Sequence, residues 1–294
     1  MRIVFIGSVK FSQIMLEALA ARVDLDIVGV CTLREAYSNS DHVDLTPICD
    51  ELAIPVQYTP DINAPYSVEW ILSLKPDAIF CFGWSRLIRE PLLSAAKMGV
   101  IGFHPTLLPA NRGRHPVIWA LVLGLEKTGT TFFRMDSGMD AGPIISQRQI
   151  RIDENDDAGI LYTRIAETAV SQIDELVREI SVGGAIGTPQ NETIASYWRK
   201  RSANDGLIDW RMPATGIRNL VRALRPPYMG AHFVHSGNSF TVWDCKKFDV
   251  DAPSTEPGKV IQVSHNGILV KCGVGTVLLT EIEPFPVINE GDYL

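Results

Sequence analysis

The first hundred residues alternate between short β-rich runs and stretches whose apolar residues recur at helical spacing. "RIVFIG" is an apolar run closed by glycine, and "KFSQIMLEALAAR" follows with apolar positions three and four apart. "LDIVGVCT" predicts a second strand, the polar "LREAYSNSDHVD" a loop, and "LTPICDELA" a helix. "IPVQYT" is a short strand, "APYSVEWILSLK" a helix and "DAIFCFG" a fourth, fully apolar strand. "RLIREPLLSAAK" then leads to "GVIGFHP". Strands separated by helices make βαβ units, hence a parallel sheet covered on both faces. Ligands of such sheets bind at the carboxyl ends of the strands. Gly7, Gly83 and Gly102 fall at or near those ends, so their loops are expected to converge.

The pattern then changes. "TGTTFFRMD" and "PIISQRQIRID" read as a hairpin pair around "SGMDAG", followed by one long helix, "DAGILYTRIAETAVSQIDELVREIS". Asp156 and Asp157 suit its N-terminal cap. The Gly/Pro-rich "VGGAIGTPQNET" reads as a boundary. From Asp205 onward, "HFVHSGNSFTVWDCKKFDV", "GKVIQVSHNGILVKCG" and "GTVLLTEIEPF" are short strands between Gly, Asn and Pro turns, which predict a small β-barrel or sandwich. There is no internal repeat. The expected organisation is an α/β domain over 1–186, a linker over 187–204 and a β-rich domain over 205–294.

Composition narrows the function. With 46% hydrophobic and 21% charged residues among 294, the chain reads as an ordinary globular protein. Its 27 basic against 34 acidic residues leave a formal charge of -7, whereas wide polyanion-binding faces need a basic surplus. DNA and tRNA are therefore disfavoured as partners. No apolar stretch reaches the roughly 18 residues of a membrane span. "MRIVFIGSVKF" lacks a cleavage-site pattern and reads as a first buried strand. The five cysteines, Cys31, Cys49, Cys81, Cys245 and Cys272, are scattered without ligand spacing. They read as small buried hydrophobes in a reducing cytoplasm.

Most chemical motifs fail. "GSVKF" supplies only Gly7 of a G-x-G-x-x-G frame, which argues against nicotinamide or flavin. Lys10, beside the N-terminus of the first helix, suits either a phosphate or plain solvent. The six histidines make no H-x-x-x-H or H-E-x-x-H pattern, and His104 and His115 are not spaced as ligands, so no metal is expected. No serine sits in G-x-S-x-G. What remains is His104 with Asp140, each in a Gly/Pro-rich loop at the same expected sheet edge. A lone loop histidine is commonly structural. A carboxylate beside imidazole, however, raises its proton affinity and fixes its orientation, which suits proton transfer with a reacting amine.

On these residues the chain resembles a known family. "FHPTLLPANRGRHPVIWALVLG" and "TGTTFFRMDSGMDAGPIISQ", with the opening "IVFIGSVKFS" and "DGLIDW" (Asp205 to Trp210), closely resemble the N10-formyltetrahydrofolate-dependent formyltransferases. The similarity runs over essentially the whole chain. It implies a Rossmann-like, mostly parallel sheet domain followed by a smaller OB-like β-barrel domain. It also implies attack of a primary amine on the formyl carbon of the folate, His104 as general base and Asp140 as its partner. Arg86, Leu87 and Ile88, with Asp136 and Gly138 nearby, would present mostly backbone groups to the pterin. One position departs from the family motif: an asparagine stands two residues before the histidine there and donates to the developing oxyanion, whereas here that place is Gly102. Losing such a donor typically costs about 2.7–4 kcal/mol. Three readings stand. Protonated His104 with backbone N–H groups or water holds the oxyanion, Asn111 or Thr106 substitutes, or the enzyme is slow or inactive.

Within the family the acceptor is methionyl-tRNA or a sugar amine. The tRNA enzymes carry a basic loop after the second strand. Here "LREAYSNSDHVDLTP" opposes Arg34 with Glu35, Asp41 and Asp44, which would repel phosphates. "YWRKRSANDGLIDW" and "RPPYMGAHF" more closely resemble the sugar N-formyltransferases, which formylate nucleotide-linked amino sugars for surface polysaccharides. Lys10, Arg112, Arg114 and His115 would then serve a diphosphate or sugar hydroxyls, and Tyr228 a ring. Salt bridges that rigidify the loop are an equal reading for Arg112 and Arg114, whereas core packing of the small domain is the favoured reading for Tyr228 and Trp243. A formyltetrahydrofolate hydrolase and a non-catalytic folate- or sugar-binding protein are the alternatives from other classes. A homodimer through the second domain is left open.

Overall fold

The computed structural model describes residues 1–35, 40–181, 187–248, 250 and 252–294. The expected loop "LREAYSNSDHVD" and the boundary "VGGAIGTPQNET" therefore lie in part outside the described residues. In chain order the first elements are β1 (Arg2–Ile6), α1 (Lys10–Ala20), β2 (Asp26–Thr32), α2 (Thr46–Glu51) and β3 (Val56–Tyr58). Next come α3 (Pro65–Ser73), β4 (Ala78–Cys81), β5 (Val100–His104), the two-residue β6 (Arg112–Gly113) and α4 (Pro116–Val122). β7 (Lys127–Arg134), β8 (Ile144–Arg151), α5 (Ala158–Ser171), α6 (Ile173–Ser181) and β9 (Tyr197–Trp198) follow. The chain divides into two compact units. One holds Met1–Pro116, Thr128–Arg151 and Thr163–Trp198, and the other Val117–Lys127, Ile152–Tyr162 and Arg199–Leu294.

The first unit is built on a seven-stranded sheet in the order β3-β2-β1-β4-β5-β7-β8. β1 runs parallel to β2 and β4, β2 to β3 and β4 to β5, while β7 is antiparallel to β5. The fold is Rossmann-like. Its central strands are apolar on both faces: Ile3, Val4, Phe5 and Ile6 of β1 and Ala78, Ile79 and Phe80 of β4 are all buried. The strand order reverses between β1 and β4, where such sheets open a crevice at their carboxyl edge.

Ser12 closes that edge. Its hydroxyl accepts the N–H groups of Ser8 (3.1 Å) and Val9 (3.2 Å) and donates to the carbonyl of Phe82 (2.6 Å). It thereby ties the turn after β1 to the end of β4. Gly102 pairs with Cys81 of β4 on the next strand, so the three glycine loops converge as expected. Phe103, beside His104, stacks on Phe11 of α1 at 4.2 Å and packs on Phe132 of β7 at 5.0 Å between ring centroids. The strand that carries His104 is thus anchored in the core.

The helix predicted as one piece is two. Asp157 caps α5, its carboxylate accepting the N–H of Ile160 at 2.9 Å. At Gln172 the backbone tightens, its N–H bonding Ala169 rather than a carbonyl four residues back, and α6 begins. Gln172 is fully buried and its carboxamide bonds Thr130 and Ser146 of β7 and β8, contacts that periodicity alone cannot anticipate. Residues 187–198 cluster with the first unit because β9 pairs with β6, Tyr197 lying against Arg112.

The second unit holds α7 (Ala214–Ala223) and β10 (Ala231–His235), β11 (Asn238–Phe248), β12 (Val260–Ser264), β13 (Gly267–Lys271) and β14 (Thr276–Glu283). The strands form an antiparallel sheet in the order β10-β11-β14-β13-β12. Val242, Ile268, Val270, Val277 and Leu279 of the sheet and Ile217, Leu220 and Val221 of α7 are its buried core. No helix among the described residues is long and apolar enough to cross a membrane.

Replacing Ser12 by alanine leaves two buried N–H groups and one carbonyl without their partner. We expect a loss of about 1–3 kcal/mol in urea unfolding with the fold retained; an unchanged midpoint would show that the hydroxyl does not close this edge.

Candidate functional site

His104 is the last residue of β5, where the apolar run "VIGF" ends and Pro105 stops the strand from continuing. Its side chain is buried. Nε2 lies 2.8 Å from the backbone carbonyl of Asn111. A carbonyl only accepts, so Nε2 carries the proton, and in the neutral ring the lone pair is on Nδ1. Nδ1 faces the Asp140 carboxylate, 3.6 Å from Oδ2. This is a base with its tautomer set from one side and a carboxylate waiting on the other.

The loop between them is folded by its own hydrogen bonds. Thr106 is fully buried, and its hydroxyl donates to Ala110 O at 3.0 Å. Its carbonyl accepts from Thr131 Oγ1 at 2.6 Å. With its proton spent on Ala110, that hydroxyl has none for an oxyanion. Gln147 of β8 donates to Leu108 O and to Thr131 Oγ1 and pins the middle of the loop. Asn111 has a left-handed φ of 66° and accepts from Ser196 through its carboxamide oxygen.

Asp140 arrives from the turn between β7 and β8. Its φ of 52° lies in the left-handed region, where Asp is among the few side chains tolerated. Its Oδ2 accepts the Gly113 N–H at 2.9 Å, and its carbonyl accepts from Gln190 Nε2 at 2.8 Å. Gly142 permits the turn: any Cβ there would stand 1.7 Å from the carbonyl of Arg134. Asp136 and Gly138 are exposed in the same turn, joined by an N–H to Oδ1 bond of 2.8 Å.

Gly102 lies on β5 two residues before His104, paired with Phe133 of β7. A side chain there would begin 2.8 Å from Met135 Cγ and 2.9 Å from Phe133 Cζ. A family asparagine starting here would have to push Met135 or the buried Phe133 aside. The donor is absent, and two apolar side chains crowd its place.

The other residues singled out from sequence separate into groups. Arg112 is fully buried and bonds Gln190, Glu192 and Tyr197, the rigidifying alternative of its two readings. Arg114 donates to Ser85 O at 2.9 Å, and His115 has a φ of 56° on the same loop. Lys10 is exposed, its ammonium on Gln13 at 3.0 Å. Arg86 and Leu87 are exposed while Ile88 is buried in the core. Asn63, unmarked by any pattern, holds that loop by donating to Leu87 O and accepting from Arg89 N. Tyr228 and Trp243 are half-buried in the second unit, Trp243 donating to Glu283. In the loop after β2, Arg34 lies over the Tyr58 ring and Asp44 accepts from Tyr58 and Thr46.

Burial pushes the thiols of Cys31, Cys49 and Cys245 up to about 12. Cys81, at the end of β4, is pushed up by burial, with the charges of Cys31 and Asp140 adding to it. None of these is a thiolate nucleophile near neutral pH. Among the described residues no group of three or more His, Cys, Asp and Glu is placed to hold a metal.

Comparison with known proteins identifies the family. Residues 1–177 match the family model described as formyl transferase, and residues 200–285 that of the formyl transferase C-terminal domain. WlaRD, a sugar 3N-formyl transferase solved in the presence of dTDP and 5-N-formyl-THF, superposes with a TM-score of 0.68 at 16% identity, over 95% of this chain and 97% of its own. The N-formyltransferase of Helicobacter canadensis, solved with folinic acid and dTDP-3-aminofucose, gives 0.68 at 15%, over 95% and 98%. HypX from Aquifex aeolicus in complex with tetrahydrofolic acid gives 0.67 at 18% over 96% of this chain. The chain spans 44% of the length of HypX.

Two outcomes follow for the site. Gly102→Asn overpacks the Phe133–Met135 contact and lowers stability in urea by about 1–3 kcal/mol, with Met135→Ala recovering part of the loss; a neutral substitution would mean the space is open. Iodoacetamide at pH 8 leaves the native protein unlabelled, because every cysteine is buried. Rapid labelling by mass would contradict that.

Proposed function

The chain belongs to the formyl transferase family, and from that premise we propose that it is an enzyme that carries the formyl group of N10-formyltetrahydrofolate to the primary amine of a nucleotide-linked amino sugar. The observation that carries the chemistry is the His104 pair. Nε2 is held protonated by the Asn111 carbonyl, and Nδ1 faces the Asp140 carboxylate at 3.6 Å.

In this reading the amine nitrogen attacks the formyl carbon, and the carbonyl electron pair moves onto the formyl oxygen. His104 Nδ1 takes the proton the amine nitrogen sheds, and the imidazolium so formed is stabilised by Asp140. The tetrahedral intermediate collapses, the bond from carbon to N10 breaks, and N10 leaves as tetrahydrofolate after taking back a proton. Arg86, Leu87, Ile88, Asp136 and Gly138 are the residues we assign to the pterin. The oxyanion has no asparagine at Gly102 and none of the Thr106 hydroxyl proton. We assign its stabilisation to the His104 imidazolium with backbone N–H groups or water.

The sugar acceptor is supported by the two sugar N-formyltransferases of like fold, both solved with thymidine nucleotides. It is also supported by the acidic balance of the chain. Lys10, Arg114 and His115 are the side chains we assign to the acceptor side. We place the enzyme in the cytoplasm, in keeping with five free buried thiols.

The purified protein, incubated with N10-formyltetrahydrofolate and a panel of amino-sugar nucleotides, yields a formylated sugar nucleotide detected by mass. Formylation of charged initiator tRNA in place of any sugar would overturn the acceptor, and folate consumption without an amine would identify a hydrolase. His104→Ala lowers turnover by about 10²–10⁴-fold with an unchanged circular dichroism spectrum. Survival of full activity would remove His104 from the role of base.

A further inference from the structure

Asp140 is held from two neighbouring residues by two different routes. Gly113 N–H grips its carboxylate directly at 2.9 Å. Arg112 reaches its backbone through a third residue, Gln190, which comes from the segment read as a boundary. Gln190 Oε1 accepts from Arg112 Nε at 3.2 Å and from Nη2 at 2.8 Å. Two donors on the oxygen leave the amide only one orientation, with its NH₂ group on the far side. That group donates to the carbonyls of Asp140 (2.8 Å) and Gly142 (2.7 Å), the turn that presents the carboxylate to His104.

Arg112 is in turn fully committed. Nη1 donates to Glu192 Oε2 at 2.9 Å and to the Tyr197 hydroxyl at 2.6 Å, and Nη2 donates to Glu192 Oε1 at 2.6 Å. With the two bonds to Gln190, all five guanidinium N–H groups are used, and the side chain is fully buried. No donor is left for a phosphate. The pairing of β6 with β9 brings Tyr197 alongside Arg112, and the Arg112 N–H itself bonds Ser196 O at 2.9 Å. A buried, five-fold bonded guanidinium is a rigid support, and its bidentate hold on Glu192 adds charge-assisted strength.

We infer that Gln190 is a positioning residue of the formyl-transfer site, oriented by Arg112 and holding the Asp140 turn at its distance from His104. The inference rests on the assignment of Asp140 as partner of the catalytic histidine. Without the two Gln190 hydrogen bonds the backbone of Asp140, which has a left-handed φ, and of Gly142 loses these partners, leaving the Gly113 contact on the carboxylate, the local Gly138–Asp136 bond, and the Arg134–Pro143, Met135–Val100 and Ile144–Thr188 bonds at the base of the turn. Gln190→Glu is the discriminating change. It preserves size and the contact with Arg112, but turns a donor of two hydrogen bonds into an acceptor facing two carbonyls.

The experiment is a double-mutant cycle of Gln190→Glu with Asp140→Asn, with kcat and KM measured for both substrates and thermal unfolding recorded. We expect Gln190→Glu alone to lower kcat by about 10²-fold, the scale of a displaced catalytic group, with KM unchanged. In the Asp140→Asn background it should bring no further loss, because both changes remove one function. Arg112→Lys should lower kcat in the same direction, since a lysine cannot orient the amide; should that variant fail to fold, the Gln190 cycle carries the test. Wild-type kcat in Gln190→Glu, a rise in KM with kcat unchanged, or an additive loss in the double variant each overturns the inference. Full activity in Asp140→Asn would overturn the assignment of Asp140 itself, which is a separate failure.

Discussion

The hydrogen bond from His104 Nε2 to the carbonyl of Asn111 is the interaction on which the site turns. It fixes which ring nitrogen is basic. It also requires the chain to come back on itself within seven residues, and so sets where Arg112 and Gly113 emerge. Both then act on Asp140, one through its carboxylate and one through Gln190. A histidine whose far nitrogen met water instead would be free to exchange tautomers, and the carboxylate would face a mixture of acids and bases.

The sheet makes this economy workable. His104 stands at the end of a strand whose neighbour in sequence, Phe103, is locked between Phe11 and Phe132. The imidazole is therefore positioned by a packed strand, and the carboxylate by a turn that must be supported separately. That division explains why so many polar side chains converge on the loops and so few on the strand. Asn63, Ser12, Gln147 and Gln190 each hold loop backbone by donating to carbonyls, accepting N–H groups or both. Buried loop carbonyls without a ladder partner would otherwise cost stability.

Gly102 shows how a missing group and its surroundings change together. Phe133 and Met135 fill the volume next to it, so the site has no cavity waiting for an asparagine. On that side the site therefore presents an apolar wall, beside which any charge acts at lower effective dielectric than in water.

The alternation of apolar runs with helical periods was enough to predict the parallel sheet, the convergence of the glycine loops and the β-rich second half. Each of these is set by local hydrophobic patterning that any stable packing must respect. The meeting of His104 and Asp140, 3.6 Å apart in the structure, was likewise readable from their places in Gly/Pro-rich loops at strand ends. Three things were not. The break at Gln172 follows from a side chain bonding two strands far away in sequence. The commitment of Arg112 to Glu192 and Gln190 spans about eighty residues, and a buried arginine has no sequence mark that distinguishes it from a ligand-binding one. The orientation of Gln190 depends on donors that only the folded chain brings together. Periodicity reports which face of an element is buried, whereas a hydrogen-bond network between loops is decided by tertiary contacts, because its partners share neither an element nor a period.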